Sequence, residues 1–496
     1  MLKSKSKHIF INSILILCFL GTGVAILISG NKGLVLLLAT IAFAMVMIRI
    51  SQDIHNNIFI FCFLICFFVF LLGGQILDRI FDVYGYVFTD EIELHTDIVL
   101  LISILGLSFG YFFLAKVRIK THKRRFNHTV SDNLYSSPYI LNIRKISKYY
   151  YYSTYLLWIL IICDNVLFVL QRGYTTYYLS YSSRIPAIVR EFGYMAPVAL
   201  FIFLATMPEK KEAKLPIILY SLYLVLSLGT GRRIYLMTGL LIIFAYLMLR
   251  NKINPGNSLW ISKRQMARIL LIIPFVLIGM YLFEYLRSEN YVGQSSDYNP
   301  IFGFFVRQGT SINVIKYARL FSDRLNSDAH YSLYNITRWL QNNWLNDLLG
   351  LDLSYSMGRQ SELTATQGTY LADFVSYHAN SRIYSIGMGY GSCYIEELYI
   401  DFGYIGVFIG NAIYGLVLNK LLKISESRYS VWKTAIGLFA IDAIFKAPRA
   451  TYDAFIGQWL YFNSWGPLVI IYLLSYFSMK MNSFKPAILN QGIIKK

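Results

Sequence analysis

Charge is scarce in this chain, and cysteine is scarcer. Only 15% of the 496 residues are charged, against 56% hydrophobic and 17% aromatic. A soluble domain of this length needs far more polar surface, so the composition excludes one. The five cysteines, Cys18, Cys62, Cys66, Cys163 and Cys393, are too few and too scattered for a disulfide framework. Four lie in apolar runs, where a thiol packs as a small hydrophobe. Cys62 and Cys66 share a helix face, but no His or carboxylate on that helix joins them as metal ligands. Acidic residues are also short, 27 against 46 Lys and Arg, for a net charge of +19. The excess cations sit in short segments between apolar runs, the pattern of cytoplasmic loops, and form no basic stripe of a nucleic-acid-binding fold. The sequence has no Gly-rich phosphate loop on a cytoplasmic domain, no His/Asp cluster at metal spacing and no internal repeat.

What is present is a succession of apolar segments and a mean hydropathy of +0.48. They fall near 9–28, 33–50, 57–77, 97–115, 149–170, 190–207, 215–229, 234–249, 269–286, 402–422, 432–447 and 455–478. Each reaches or approaches the ~18 residues that cross a bilayer as helix. Lys3, Lys5 and Lys7 before the first run resemble a signal n-region, but the run is long and another follows at once, which predicts an uncleaved first helix. The expected fold is all-α: about twelve transmembrane helices with one large extracytoplasmic loop. Residues 1–286 hold helices 1–9, 287–400 the loop, and 401–496 helices 10–12 with a cytoplasmic tail. In the loop, Leu333, Ile336, Leu340, Trp344 and Leu348 repeat at helical spacing, and Trp339 and Trp344 suggest a helix lying at the membrane interface. One large loop without a counterpart in the other half argues against a two-halved transporter.

With the N-terminus inside, the inner segments carry about 20 Lys and 9 Arg, and the outer ones about 3 Lys and 14 Arg. The inward excess of cations is the positive-inside rule, and it puts both termini in the cytoplasm. The outer preference for Arg needs another reason. A guanidinium grips phosphate or carboxylate with two parallel bonds, whereas an ammonium acts as a point charge. An outer face stocked with Arg suits an anion such as a lipid diphosphate.

Arg232 and Arg233 follow Gly229-Thr-Gly231 in a tight outer turn, where backbone N–H groups and two guanidiniums can approach one anion. Snorkelling at a helix end accounts for the same placement. Arg449 follows Pro448 in a short outer turn, Arg287 closes the span leading into the large loop, and Arg359 and Arg382 flank its most polar run. The other loop arginines have Asp323, Asp328 and Asp373 as ion-pair partners. Glu396, Glu397 and Asp401 stand where a span begins, costly in lipid, and outer arginines are their expected partners. Acidic residues in the first turn of a helix are also favoured by its dipole. His330 and His378 are the histidines of the large loop, and His378 leads as general base, since imidazole titrates near neutral pH. Tyr177 and Tyr178, in an aromatic outer loop, can stack on sugars or belong to an interfacial tyrosine belt.

The run Gly389-Tyr-Gly-Ser-Cys-Tyr-Ile-Glu-Glu-Leu-Tyr-Ile-Asp-Phe-Gly-Tyr-Ile-Gly406 resembles the Glu-Leu-Tyr…Phe-Gly…Gly signature of Wzy-type polysaccharide polymerases, with Glu396 where a small residue is usual. The Gly229-to-Arg233 turn is similar to that family's small-residue–Arg segment. The resemblance implies a GT-C-like membrane glycosyltransferase of the bacterial cell membrane. It would polymerise oligosaccharide repeat units carried on undecaprenyl diphosphate into O-antigen or capsule. It implies no metal and no cofactor, membrane lipids as surroundings, and a flippase and a chain-length regulator as partners, with no nucleic acid. In that reading Arg232, Arg233, Arg449 and Arg287 hold the diphosphate, and Glu397 or His378, with Glu396 beside them, takes the acceptor proton. A one-step displacement would invert the anomeric centre. A lipid-linked-oligosaccharide ligase and, from another class, a flippase are the alternatives; a flippase should carry cations deep in a cavity rather than at the outer rim.

Overall fold

The computed structural model describes residues 17–26, 31, 33–115, 137–253, 260–288, 299–341, 360–425 and 430–493. Every regular element among them is helical. That is what lipid requires of long apolar segments, because a helix satisfies its own backbone groups without water. Among the described residues nine helices are long and apolar enough to cross a membrane: Leu34–Ser51, Ile58–Phe81, Asp90–Leu114, Pro138–Arg172, Ala187–Ala205, Lys210–Thr230, Arg233–Lys252, Arg264–Tyr281 and Tyr394–Ile424. A bent pair, Ala454–Leu460 with Phe462–Met481, would make a tenth. The two remaining apolar segments are helical but shorter as described, Leu17–Ile26 and Val431–Lys446. The chain is therefore an all-helical, multi-pass integral membrane protein. Lys3, Lys5, Lys7, Trp344, Leu348 and Arg359 lie outside the described residues, as do the side chains of Arg287 and Tyr178.

The helices group into two units. The first comprises Met1–Thr121, Ile261–Lys420 and Ala443–Gly457. Within it, Asp90–Leu114 packs on Tyr394–Ile424 at very short range: a Cβ on Gly110 would strike the Ala412 carbonyl, and one on Gly415 the Leu107 carbonyl. Small residues that let helix backbones touch are the usual means of association in lipid, where no hydrophobic drive exists between helices. Thr89 caps Asp90–Leu114 by accepting the Ile92 N–H, and Asp90, Glu91 and Glu93 fill its first turn, where the helix dipole favours negative charge. The Tyr394–Ser425 helix is broken at Gly403, where the backbone leaves helical geometry (φ 63°, ψ −163°).

The described part of this unit's large loop is a set of short helices pinned to the ends of the spans. Lys316, fully buried, bridges Asp78 at 2.8 Å and Glu93 at 2.7 Å. Arg79 holds Glu93 and Asp97, and Gln75 donates to the same two carboxylates. Arg319 pairs with Glu91 at 2.9 Å, on another element, rather than with an aspartate of its own loop. Asp401 accepts both backbone N–H groups of Tyr331 and Ser332. Removing one partner from such a cluster would strand a buried charge, at a cost of about 3–5 kcal/mol.

The second unit comprises His122–Trp260, Leu421–Asp442 and Gln458–Lys496. Its longest helix, Pro138–Arg172, starts with Ser137 as cap and Pro at the first position, where a missing N–H costs nothing. Ala187–Ala205 ends beneath two arginines: Arg144 donates to the Thr206 and Met207 carbonyls, and Arg250 to those of Met207 and Pro208. Both guanidiniums thus cap carbonyls that the helix leaves without partners.

Candidate functional site

Two elements of the first unit press on the segment Gly387–Ser392. On one side is the helix Leu371–Ala379. Its Ser376 hydroxyl accepts the Tyr390 N–H at 2.9 Å, and a side chain at Gly389 would collide with that same hydroxyl. On the other side is the turn Ala447–Asp453, whose Arg449 lies so close to Gly391 that a Cβ there would sit 3.0 Å from the Arg449 carbonyl. A larger residue at 391 would push the arginine away, which accounts for glycine at this point.

The Arg449 turn is tied down from three directions. Glu397 accepts the Tyr452 N–H at 2.8 Å and the Ser392 hydroxyl at 2.5 Å, joining the turn to the 387–392 segment. Asp453 accepts the Asn335 amide at 2.7 Å and the Ile336 N–H at 3.0 Å, joining the turn to the loop helix Tyr334–Gln341. Burial pushes the Asp453 carboxyl above its ordinary range, and these hydrogen bonds offset part of that. Beneath, Tyr394, Tyr414 and Tyr452 stack in series, and the Tyr414 hydroxyl donates to the Tyr452 carbonyl at 2.6 Å. The guanidinium itself is half-buried and donates to the Gln308 amide oxygen at 3.1 Å.

His378 is on the helix of Ser376, two residues further on, with its ring against Phe321, Phe374 and Tyr377. Its Nδ1 is 2.9 Å from the Phe374 carbonyl oxygen. A carbonyl only accepts, so Nδ1 carries the proton and Nε2 holds the lone pair of the neutral ring. That is the tautomer a general base needs. The Tyr317 ring touches both Tyr390 and Phe321.

The carboxylates at the helix entrance find partners other than the arginines expected for them. Glu397, fully buried, is held by a hydroxyl and a backbone N–H. Glu396 takes the Nε2–H of His95 at 3.3 Å, which leaves Nδ1 to accept the Tyr404 hydroxyl at 3.0 Å. Asp401 is used by the 331–332 backbone and the Ser332 hydroxyl. The reason is electrostatic economy. Neutral donors stabilise a buried carboxylate without the desolvation cost of a second charge. His95 was missed in the sequence, although a histidine inside an apolar span is a signal of its own. Gln308, Tyr452 and Asn335 carried no comparable signal.

The remaining sequence candidates are distributed as follows. Arg382 is exposed on the short helix Ser381–Ser385. Arg287 stands at the end of Lys263–Ser288. His330 precedes the turn Tyr331–Leu333. In the second unit, Arg232 and Arg233 follow Gly231, whose backbone has φ 78° and whose N–H is donated to the Leu228 carbonyl at 2.7 Å. That N–H is engaged inside the turn. Arg232 is exposed, with Nη1 3.5 Å from the Tyr235 hydroxyl, and Arg233 opens the next helix. Tyr177 packs on Phe168 and Tyr181 within its own small helical hairpin, and Tyr178 shares that helix. Among the described residues no three His, Cys, Asp or Glu side chains converge as a metal site.

No curated protein and no solved structure matches the chain. The sequence pattern of the O-antigen polysaccharide polymerase Wzy family matches residues 9–482, nearly its whole length. With a multi-pass helical fold to match, the chain belongs to the O-antigen polysaccharide polymerase Wzy family.

Proposed function

We propose that repeat units are joined at the 387–392 segment, between Arg449 and His378, on the outer face of a bacterial inner membrane. Family membership makes the protein an O-antigen polymerase acting on a lipid-linked oligosaccharide. The finer chemistry is our reading of its residues. The donor is a glycan on undecaprenyl diphosphate, and the acceptor is a hydroxyl of a second lipid-linked unit. His378 Nε2 takes the hydroxyl proton as the oxygen bonds to the anomeric carbon. The bond from that carbon to the diphosphate oxygen breaks, and its electron pair leaves with the diphosphate. Arg449 stabilises the charge that develops there, the role an ion or oxyanion hole plays elsewhere. Attack opposite the leaving group inverts the anomeric centre. The arginines fill the charge-stabilising role in this scheme, so it calls for no metal. Arg287, Arg359 and Arg382 are further contacts for the donor's diphosphate or glycan. A GT-C-like arrangement, cytoplasmic termini, and a flippase and chain-length regulator as neighbours belong to the same proposal.

The observation that carries the assignment is that one glycine-rich segment packs on the Arg449 turn at Gly391 and on the helix of His378 through Ser376. Within this scheme Glu397 is a positioning residue, since its two oxygens are engaged in tethering the Arg449 turn. The test is reconstitution with a lipid-linked repeat unit and separation of products by size. The native chain gives a ladder. Arg449→Ala and His378→Ala each reduce its formation by roughly 100-fold, the range a positioned base contributes. A full ladder from either variant would remove that residue from the site, and a single transfer in place of the native ladder would point to a ligase.

A further inference from the structure

The connection between the Ile58–Phe81 and Asp90–Leu114 spans is short and aromatic. It turns at Gly85 (φ 62°) and is anchored by Tyr84, whose hydroxyl donates to the Val306 carbonyl and whose N–H donates to the Asp78 carboxylate. Beyond the turn, Tyr86 and Phe88 both pack on Tyr317, with ring centroids 5.7 and 5.3 Å away. The Lys316 ammonium lies 5.4 Å from the centre of the Phe88 ring and steadies it. Val87, between the two aromatics, is fully exposed, and Tyr86 is 47% exposed. Tyr86 thus packs on the protein and still leaves surface open to a ligand.

Tyr317 carries this patch into the segment where repeat units are proposed to join. Its ring is 5.4 Å from that of Tyr390, inside Gly387–Ser392. It also stacks on Phe321, which meets the His378 ring at 5.6 Å. The hydroxyls of Tyr86, Tyr317 and Tyr390 come together, and burial raises the Tyr317 and Tyr390 phenols, so both stay neutral. A neutral phenol donates and accepts. Rings beside a cluster of such hydroxyls match a sugar, which has apolar C–H faces and hydroxyls at its edges. An interfacial tyrosine has the opposite setting, ring in lipid and hydroxyl in water. The Tyr86 hydroxyl is instead turned back onto two other phenols.

We propose that Tyr86, Tyr390 and Phe321 form a carbohydrate subsite that holds the acceptor's repeat-unit glycan and leads its reacting hydroxyl to His378. The acceptor role rests on His378 being the base, whereas the carbohydrate contact does not. The patch is pinned at Tyr84 and Phe88 before any sugar arrives, so binding orders little new structure.

The probe is the repeat-unit oligosaccharide freed from its lipid, titrated by calorimetry into the full-length protein in lipid nanodiscs. Tyr86→Ala should weaken binding about tenfold, the worth of one aromatic contact. Tyr86→Trp, which keeps a ring, should bind within about twofold of the native chain and shows that the turn tolerates substitution. Equal affinity in the native chain and Tyr86→Ala, or no saturable binding by the native chain, would overturn the subsite. Native affinity for the freed oligosaccharide in Tyr86→Ala, with a weaker ladder in membranes, would make Tyr86 an interfacial anchor and overturn it too. A full ladder from His378→Ala, with binding still lost in Tyr86→Ala, would remove the base and the acceptor role while the carbohydrate contact stands.

Discussion

Glu397 shows that the cost of placing a residue is legible in a sequence where its partners are not. Two adjacent carboxylates at the mouth of a span are expensive in lipid, and the sequence makes that plain. What it does not show is that the Glu397 partners are Ser392 and the Tyr452 N–H, the second 55 residues away and a backbone group. No side-chain pattern reports a backbone donor. Glu397→Gln keeps one acceptor but turns an NH2 toward one of those two donors, leaving a buried group unsatisfied at a cost of about 1–3 kcal/mol. We expect a lower thermal midpoint and a ladder reduced roughly tenfold as the Arg449 turn loosens, with Ser392→Ala acting in the same direction. A ladder abolished at an unchanged midpoint would instead make Glu397 the base. His378 was legible by elimination, since the outer loop holds few histidines, but its tautomer was not. That came from the Phe374 carbonyl one helical turn back.

At the scale of elements, the apolar segments coincide with helices, because a span in lipid needs a long apolar run and little else, although some helices start well before the apolar run, as at Asp90 and Pro138. The outer loop was legible only as a loop. Its short helices owe their positions to contacts with distant spans, such as Lys316 with Asp78 and Glu93, and the acidic residues that marked the outer face prove to be its anchors. One loop element also carries a pH dependence. On Leu371–Ala379, burial raises the Asp373 carboxyl to about 6, against the opposing effects of a Tyr384 hydrogen bond and of Arg338. A raised carboxyl favours the protonated folded form. Its contribution is therefore fully present below the unfolded value of about 4 and is lost as pH climbs through about 6. The loss amounts to roughly 1–3 kcal/mol after allowing for partial exposure. Hydrogen exchange on this helix should show protection falling about tenfold or more between pH 4 and pH 7 in the native chain. Asp373→Asn should flatten that profile, and equal slopes in both chains would show that Asp373 does not control it.

For the molecule as a whole, the most informative quantity was the separate distribution of Lys and Arg. Their sum carries only an expected orientation, whereas their ratio is what motivates the proposed donor chemistry. The segregation also makes a geometric claim that does not depend on any site residue. Arg382 and Lys211 are both exposed, the first in the large loop and the second in the first turn of the Lys210–Thr230 span. Single cysteines at these positions should be separated by the membrane. The natural thiols at 62, 66 and 393 are buried, so replacing Cys18 and Cys163 leaves a quiet background. In intact cells a membrane-impermeant maleimide should label Arg382→Cys and spare Lys211→Cys, and permeabilisation should expose the second. The reverse pattern would put Arg449, His378 and the whole loop on the cytoplasmic side. The arginine-rich face would then meet nucleotide-activated sugars rather than lipid-linked ones, and donor chemistry based on a lipid diphosphate would have to be abandoned. Labelling as expected fixes the side on which the polymer is made, because Arg382 and His378 lie on successive helices of the same loop.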